Sequence, residues 1–503
     1  MNFPGKVLAA IMCFTIAGGL SSTPALAKIH KHKRKSVSAP AKTRYSSAVT
    51  YDAASLAAVI NNAVASAGGN TVIGVEVKSM STGATLYDHN EHQLFTPASI
   101  LKVLTAEAAL LYLGPDYKYK TQVMTDAKTT TNGIVMGDIY LVHSGDPSLT
   151  YYDMTDLMVS LKSQQIQGIS GNAYIDTTAY DQNNYGPGWI EKDMRYCYAA
   201  PINASIINHN CISFEVAPAK QEGKLASVIQ SPRYFYPGIY NSVVTRPFSS
   251  KGCSVRLQTN DDNTIALSGC MAKGNYSRGA SIVITNMVQY NKSMLRNLFN
   301  QYGIQVNNPI GAKEAPPNLS VIAEHDSKPL YMLITEMLKK SDNIIAGSLF
   351  KKIGEVYTRQ PGSWSNGSSA IKQILTKKAG VNTSQMVILD GSGLSRDNRV
   401  TPSQIMQALD FAFHNDATNY EFISALPIAG VDGTLKRRLG NVARKVRAKT
   451  GTMAGVVSLA GYAVSKNKEP LAFVIIVNGQ HGSIWKYREI EDRIVTALTN
   501  YQG

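Results

Sequence analysis

Three runs near the C-terminus, Val446-Arg-Ala-Lys-Thr-Gly-Thr452, Val456 to Val464 and Leu471-Ala-Phe-Val-Ile-Ile-Val477, follow one another at the spacing of successive strands, and Asn478-Gly479 ends the last. A closing helix is predicted from about Tyr487 to Leu498. The other end of the chain supplies matching elements. Apolar residues recur at helical spacing from Ala53 to Ala67, up to Gly68-Gly69-Asn70. Two alternating runs, Thr71 to Lys78 and Ala84 to Tyr87, then flank the turn Ser81-Thr82-Gly83 and read as a hairpin. An antiparallel sheet with helices, drawn from both ends of the sequence, is an α+β signature. It leaves the middle of the chain to be accommodated as an insertion.

That middle, from about Lys118 to Ile310, is rich in Tyr, Asn, Gly and Thr and carries short strand-like runs such as Gly137 to His143. It reads as one or two inserted β-rich domains, with no internal repeat of fixed period. A chain of 503 residues is too long for one ordinary domain. With 44% apolar and 17% charged residues, it has the balance of a folded globular protein.

Residues 1–27 have the form of an export signal: an early Lys6, an apolar run from Val7 to Leu20, and Ala25-Leu26-Ala27 as a small-x-small cleavage site. The run of about 14 residues is short of the roughly 20 needed to cross a bilayer. Residues 28–47 hold a basic cluster, Lys28 to Lys35 with Lys42 and Arg44, among Ser, Ala and Pro, and are expected to form a disordered tail. The net charge of +15 is unevenly spread, and this stretch concentrates basic residues. For an exported chain, this favours weak contact with anionic lipid or wall polymer over nucleic acid, and a solvated tether with no specific partner is the equal alternative. The expected location is the periplasm.

Cys13 would leave with the signal, so Cys197, Cys211, Cys253 and Cys270 remain. An even number in an oxidising compartment suggests two disulfides, and three pairings are open. The sequence-local pairing closes short loops at low entropy cost. A zinc site is disfavoured because no Cys-x-x-Cys or His pair accompanies the cysteines. No His-Glu-x-x-His motif occurs either, so no metal is expected.

Three short motifs carry the candidate chemistry. In Ser99-Ile-Leu-Lys102, positions three apart share a helix face, so the lysine can reach the serine hydroxyl and accept its proton. Thr96 is the expected N-cap and Pro97 the first helical residue, which puts Ser99 in the first turn of a buried helix. Alone the pair is unspecific, because Ser369, Ser465 and Ser483 begin the same pattern. In Ser341-Asp-Asn343, after the amphipathic run Leu330 to Lys340, the serine could relay a proton and the amide could hold a substrate peptide bond. Ser170-Gly-Asn172 also fits that pattern. Lys449-Thr-Gly-Thr452 lies on a predicted strand that could align an extended substrate, with Gly451 allowing close approach and Lys449 offering charge to a carboxylate.

Taken in order, on a helix, a loop and a strand, the three motifs resemble those of the penicillin-recognising serine enzymes. The long insertion, together with Asp390-Gly-Ser-Gly-Leu-Ser-Arg396 and Leu426 to Leu435, resembles the D-alanyl-D-alanine carboxypeptidase/endopeptidases of the penicillin-binding protein 4 type, peptidase family S13. Gly145-Asp-Pro147, Gly188-Trp189, the block Cys197 to Cys211 and Leu267 to Cys270 are similar to the same family. The resemblance covers nearly the whole mature chain and supports the local disulfides, Cys197 with Cys211 and Cys253 with Cys270.

It implies a transpeptidase/β-lactamase-like domain, 48–117 and 311–503, with two smaller β-rich domains inserted, 118–150 with 237–310 and, within them, 151–236. It implies Ser99 as nucleophile and Lys102 as general base, with Ser341, Asn343 and Lys449 completing the catalytic set. The oxyanion hole would come from the backbone of Ser99 and Thr452, and Thr450, Gly451 and Thr452 would meet the substrate carboxylate. Asp193, Tyr198 and Arg396 match a pocket for the diaminopimelate end of the substrate. Tyr198 departs from a familiar phenylalanine, and Ala454 stands where a glutamine can occur. No cofactor is implied. The implied partners are peptidoglycan stem peptides and β-lactams. A β-lactamase or esterase on the same scaffold and a non-catalytic wall-binding sensor are the competing readings.

Overall fold

The computed structural model describes residues 50–230, 234–274, 276–479 and 482–503. The expected export signal and the whole of the basic tail lie outside these. Helix α1, Ala53–Ala65, is capped by Asp52, whose side chain accepts from the Ser55 amide. A hairpin follows, Val72–Ser79 and Thr85–His89, and then a 3-10 turn, Ala98–Leu101, runs into α2, Lys102–Leu113. The chain returns to this body only at the helix Leu330–Lys340, after the insertion.

Within the insertion, a five-stranded sheet has the order Gly311–Ala312, Ala173–Asp176, Ile139–His143, Lys120–Thr125, Ser320–Asp326. A three-stranded sheet has Cys211–Ala217 at its centre, paired antiparallel with Arg278–Val283 on one side and Ser227–Gln230 on the other. The region is β-rich as expected, yet it also holds two helices, α3 (Tyr151–Ser163) and α4 (Met287–Tyr302). One apolar cluster, including Leu141, Met158, Ile212, Leu298 and Phe299, joins sheets and helices. Cys197 is bonded to Cys211, and Cys253 to Cys270, with Cα separations of 5.6 and 5.0 Å.

Five helices then build the second half of the body: α5 (Leu330–Lys340), α6 (Asn343–Thr358), α7 (Trp364–Ala379), α8 (Pro402–His414) and α9 (Asn419–Ala425). The three C-terminal strands, Val446–Met453, Val456–Val464 and Pro470–Asn478, precede α10, Ile484–Thr499. They join the N-terminal hairpin in one antiparallel sheet with Val446–Met453 at its edge. The strand Pro470–Asn478 pairs with Val72–Ser79 along its length, Val72 opposite Asn478 and Ser79 opposite Leu471. One face of the sheet packs on α1 and α10 through Leu56, Ile60, Phe473 and Ile494. The other meets the helical layer that contains α2, through Val474, Ile476 and Leu104. This is the transpeptidase/β-lactamase-like α+β arrangement, with the insertion between α2 and α5.

Candidate active site

Ser99 sits on the 3-10 turn, not in the first turn of an α-helix capped by Thr96. Ala98 takes a left-handed φ of 51°, and the sheet holds this turn from outside. The Asn478 side chain accepts from the Thr96 amide at 2.8 Å and donates to its carbonyl at 3.0 Å. Ser458 Oγ donates to the Pro97 carbonyl at 2.7 Å. The Thr96 hydroxyl is taken by Arg399 instead of capping the helix. Tertiary bonds therefore replace the cap that local sequence suggests.

Lys102 is fully buried, and its Nζ donates to Ser99 Oγ at 3.0 Å, Asn343 Oδ1 at 2.6 Å and the Ser392 carbonyl at 2.6 Å. Burial brings its ammonium down to about 7, against the opposing pull of the Asp390 and Asp342 carboxylates. Ser341 closes α5 with a left-handed φ of 60°, and Asp342 caps α6, so the expected loop is a two-residue joint between helices. Asn343, the first residue of α6, also donates from Nδ2 to the Tyr198 carbonyl at 2.8 Å.

Lys449 projects from the edge strand, fully buried, and donates to Ser341 Oγ at 2.9 Å. Burial first, and then the Lys102 charge, hold its ammonium well below the ordinary range. A Cβ built on Gly451 would stand 3.0 Å from the Ser99 amide nitrogen and 2.1 Å from Ser458 Oγ, so only glycine lets the strand lie this close to the nucleophile turn. Thr450 donates to Thr434, and Thr452 is exposed and accepts from Arg488 at 3.3 Å.

Ser99, Ser341, Asn343 and Thr452 open into one cavity of about 440 Å³ that Asp193, Tyr198 and Arg396 also line. No ion pair among the described residues involves Asp193 or Arg396. Arg396 donates to the Ala454 carbonyl at 2.8 Å, and the Tyr198 phenol is raised by burial and by its hydrogen bond to Asp193. Ser99, Lys102 and Asn343 are thus hydrogen-bonded together, as are Ser341 and Lys449, and Thr452, Asp193, Tyr198 and Arg396 line the cavity, whereas Thr450 and Gly451 lie on the adjoining strand without lining it. The similar patterns elsewhere do not converge here: Lys372 donates to the Met386 carbonyl, Ser465 to Asn467, and Asn172 to Asp138.

Asp390, which opens the family-like segment Asp390 to Arg396, has a structural role. It is buried and accepts from Trp189, Ser392, Asn398 and the amides of Gly393 and Ser395. That hub aims the Ser392 carbonyl at Lys102. Clustered Asp, Ser and Gly in residues 390–395 is the signal of a tight turn, but it does not reveal which atom the turn presents.

The D-Ala-D-Ala carboxypeptidase 3 (S13) family model matches residues 54–501. The chain belongs to this family of peptidases. It is 32% identical over 412 residues to the D-alanyl-D-alanine carboxypeptidase DacB of Haemophilus influenzae, covering 81% of this chain and 85% of that one. It is 31% identical to the D-alanyl-D-alanine carboxypeptidase of Actinomadura sp. strain R39 over 86% of this chain and 82% of the relative. The crystal structure of penicillin binding protein 4 from Haemophilus influenzae superposes with a TM-score of 0.78 at 30% identity, over 88% of this chain and 98% of that one. The same Haemophilus protein complexed with a β-lactam superposes at 0.73 and 29% identity, with the same coverage.

Proposed function

We propose that this S13 peptidase removes the terminal D-alanine from peptidoglycan stem peptides and cleaves D-alanyl-diaminopimelate cross-links in the periplasm, through an acyl-enzyme on Ser99. The observation that carries this reading is the fully buried Lys102 ammonium, 3.0 Å from Ser99 Oγ and brought down to about 7. A neutral amine at that distance takes the hydroxyl proton as Oγ attacks the D-alanyl carbonyl. The backbone N–H groups of Ser99 and Thr452 receive the oxyanion, at a worth of roughly 3–4 kcal/mol per donor in comparable sites. Asn343 binds the peptide amide. Ser341 and Lys449 return a proton to the leaving amine, and Thr450 and Thr452 meet the terminal carboxylate. Water then releases the acyl group.

Asp193 and Arg396 in the cavity lining suit a side chain that ends in both an amine and a carboxylate, as diaminopimelate does. β-Lactams present the same bond in strained form and would acylate Ser99. Among the residues lining the cavity, Asp193 is the sole carboxylate, and no glutamate is among them to activate a deacylating water. This favours a peptidase over a β-lactamase or esterase. The wall-binding sensor reading is disfavoured because a depressed buried lysine at the serine has no use in binding alone. Fluorescent penicillin should label the protein stoichiometrically and only through Ser99, with slow nitrocefin turnover. Fast turnover, or labelling that survives Ser99→Ala, would overturn the reading.

A further inference from the structure

Asn343 makes two side-chain contacts that demand one orientation of its amide. Its Oδ1 accepts from Lys102 at 2.6 Å and its Nδ2 donates to the Tyr198 carbonyl at 2.8 Å. A flipped amide would set NH₂ against the Lys102 ammonium and oxygen against the Tyr198 carbonyl oxygen. The carbonyl that decides the matter comes from the insertion, not from the catalytic body.

Tyr198 directly follows Cys197, which is bonded to Cys211, 14 positions on. The segment so closed touches the Ser341-Asp342-Asn343 joint a second time. His209 Nδ1 lies 3.5 Å from Asp342 Oδ2, while Oδ1 of that carboxylate accepts from the Ile344 and Ile345 amides at 2.9 Å each. Just before Cys211, Asn208, His209 and Asn210 take φ values of 50°, 57° and 50°, a left-handed run that L-residues hold only when their surroundings enforce it. Asn210 is pinned by its bond to the Pro201 carbonyl at 2.9 Å, and Cys211 begins the central strand of the insertion's three-stranded sheet. A second anchor lies further along α6, where buried Lys351 donates to the carbonyls of Asn183 at 2.8 Å and Ile202 at 3.2 Å.

From this geometry we infer that the Cys197–Cys211 loop is a clamp: the disulfide fixes the Tyr198 carbonyl and His209 against the joint, and so orients the Asn343 amide for Lys102 and the substrate. The residues of the clamp are positioning residues, acting through Asn343 and Asp342. This rests on the proposed acyl-enzyme function. Lys351 holds the same loop independently, so opening the disulfide frees the Tyr198 end without releasing the whole segment.

The test compares the full chain with Cys197→Ser/Cys211→Ser and with Cys253→Ser/Cys270→Ser, a disulfide that none of these contacts involves. Acylation by fluorescent penicillin is followed from pH 5.5 to 9, with thermal unfolding measured alongside. Penicillin does not carry the diaminopimelate end, so loss of pocket contacts to it cannot explain a change. The first variant is expected to acylate at least tenfold more slowly than wild type. Its acidic limb should move to lower pH, because the amide oxygen that favours the Lys102 ammonium is no longer held there. The second variant should keep the wild-type rate and limb. If the first variant unfolds, reduction and re-oxidation of the wild-type protein should lower and restore the rate. An unshifted limb, a rate within twofold of wild type, or equal losses in both variants would overturn the clamp. An unreactive wild-type protein would instead overturn the function it rests on.

Discussion

Lys102 and Lys449 are both fully buried in one site, and the Lys102 charge adds to burial in disfavouring the Lys449 ammonium. Because burial lowers the Lys102 value to about 7, the neutral base is depleted as pH falls through that point. Acylation by penicillin should rise with pH to a plateau and be about tenfold slower at pH 6 than on it. Stopped-flow rates from pH 5.5 to 9 check this, and a flat profile would contradict it. Two helical turns or less from Lys102, Glu107 is buried with both carboxyl oxygens unpartnered, and burial raises it to about 8. A folded value above the unfolded one means that the native state holds the extra proton, so its contribution is full at low pH and is lost as pH rises through about 8. Glu107→Leu should therefore raise stability at pH 8 by about 1–3 kcal/mol, with less gain at pH 5. Thermal melts at the two pH values read this directly.

At the scale of elements, Gly393 shows how the nucleophile turn is held. Its φ is 83°, and a Cβ there would meet the Ala98 carbonyl oxygen at 2.0 Å. Gly393→Ala should cost about 2–4 kcal/mol of stability and slow acylation at least tenfold, as measured by melting and penicillin labelling. Periodicity made the main strands and the helices at both ends legible, since apolar spacing follows directly from which face is buried. The three motifs were legible because each binds chemistry to a short spacing. The 3-10 turn was not, since its cause lies in Asn478 and Ser458, more than 350 residues away. The Ser392 and Tyr198 carbonyls were equally hidden. A backbone acceptor leaves no mark on residue identity, so no pattern of side chains points to it.

Over the whole molecule, the insertion does more than lengthen the chain. It supplies Asp193 and Tyr198 to a cavity that Ser99, Asn343 and Arg396 of the catalytic body also line. Asp193→Ala and Arg396→Ala should raise KM at least tenfold for peptides that carry diaminopimelate, while penicillin acylation stays within about twofold. Steady-state assays on paired substrates with and without that residue separate the two. Texture alone announced a β-rich insertion but hid α3 and α4. Which insertion residues reach the nucleophile came from family resemblance, because long-range contact has no local signature. The central claim is that Ser99, served by Lys102, cleaves D-alanyl bonds in peptidoglycan. Mass spectrometry of purified muropeptides incubated with the wild-type protein and with Ser99→Ala tests it most directly. The account predicts that the wild type removes one alanine from pentapeptide species and opens cross-linked dimers, and that the variant does neither. Unchanged muropeptides with the wild type, or equal cleavage by the variant, would contradict it.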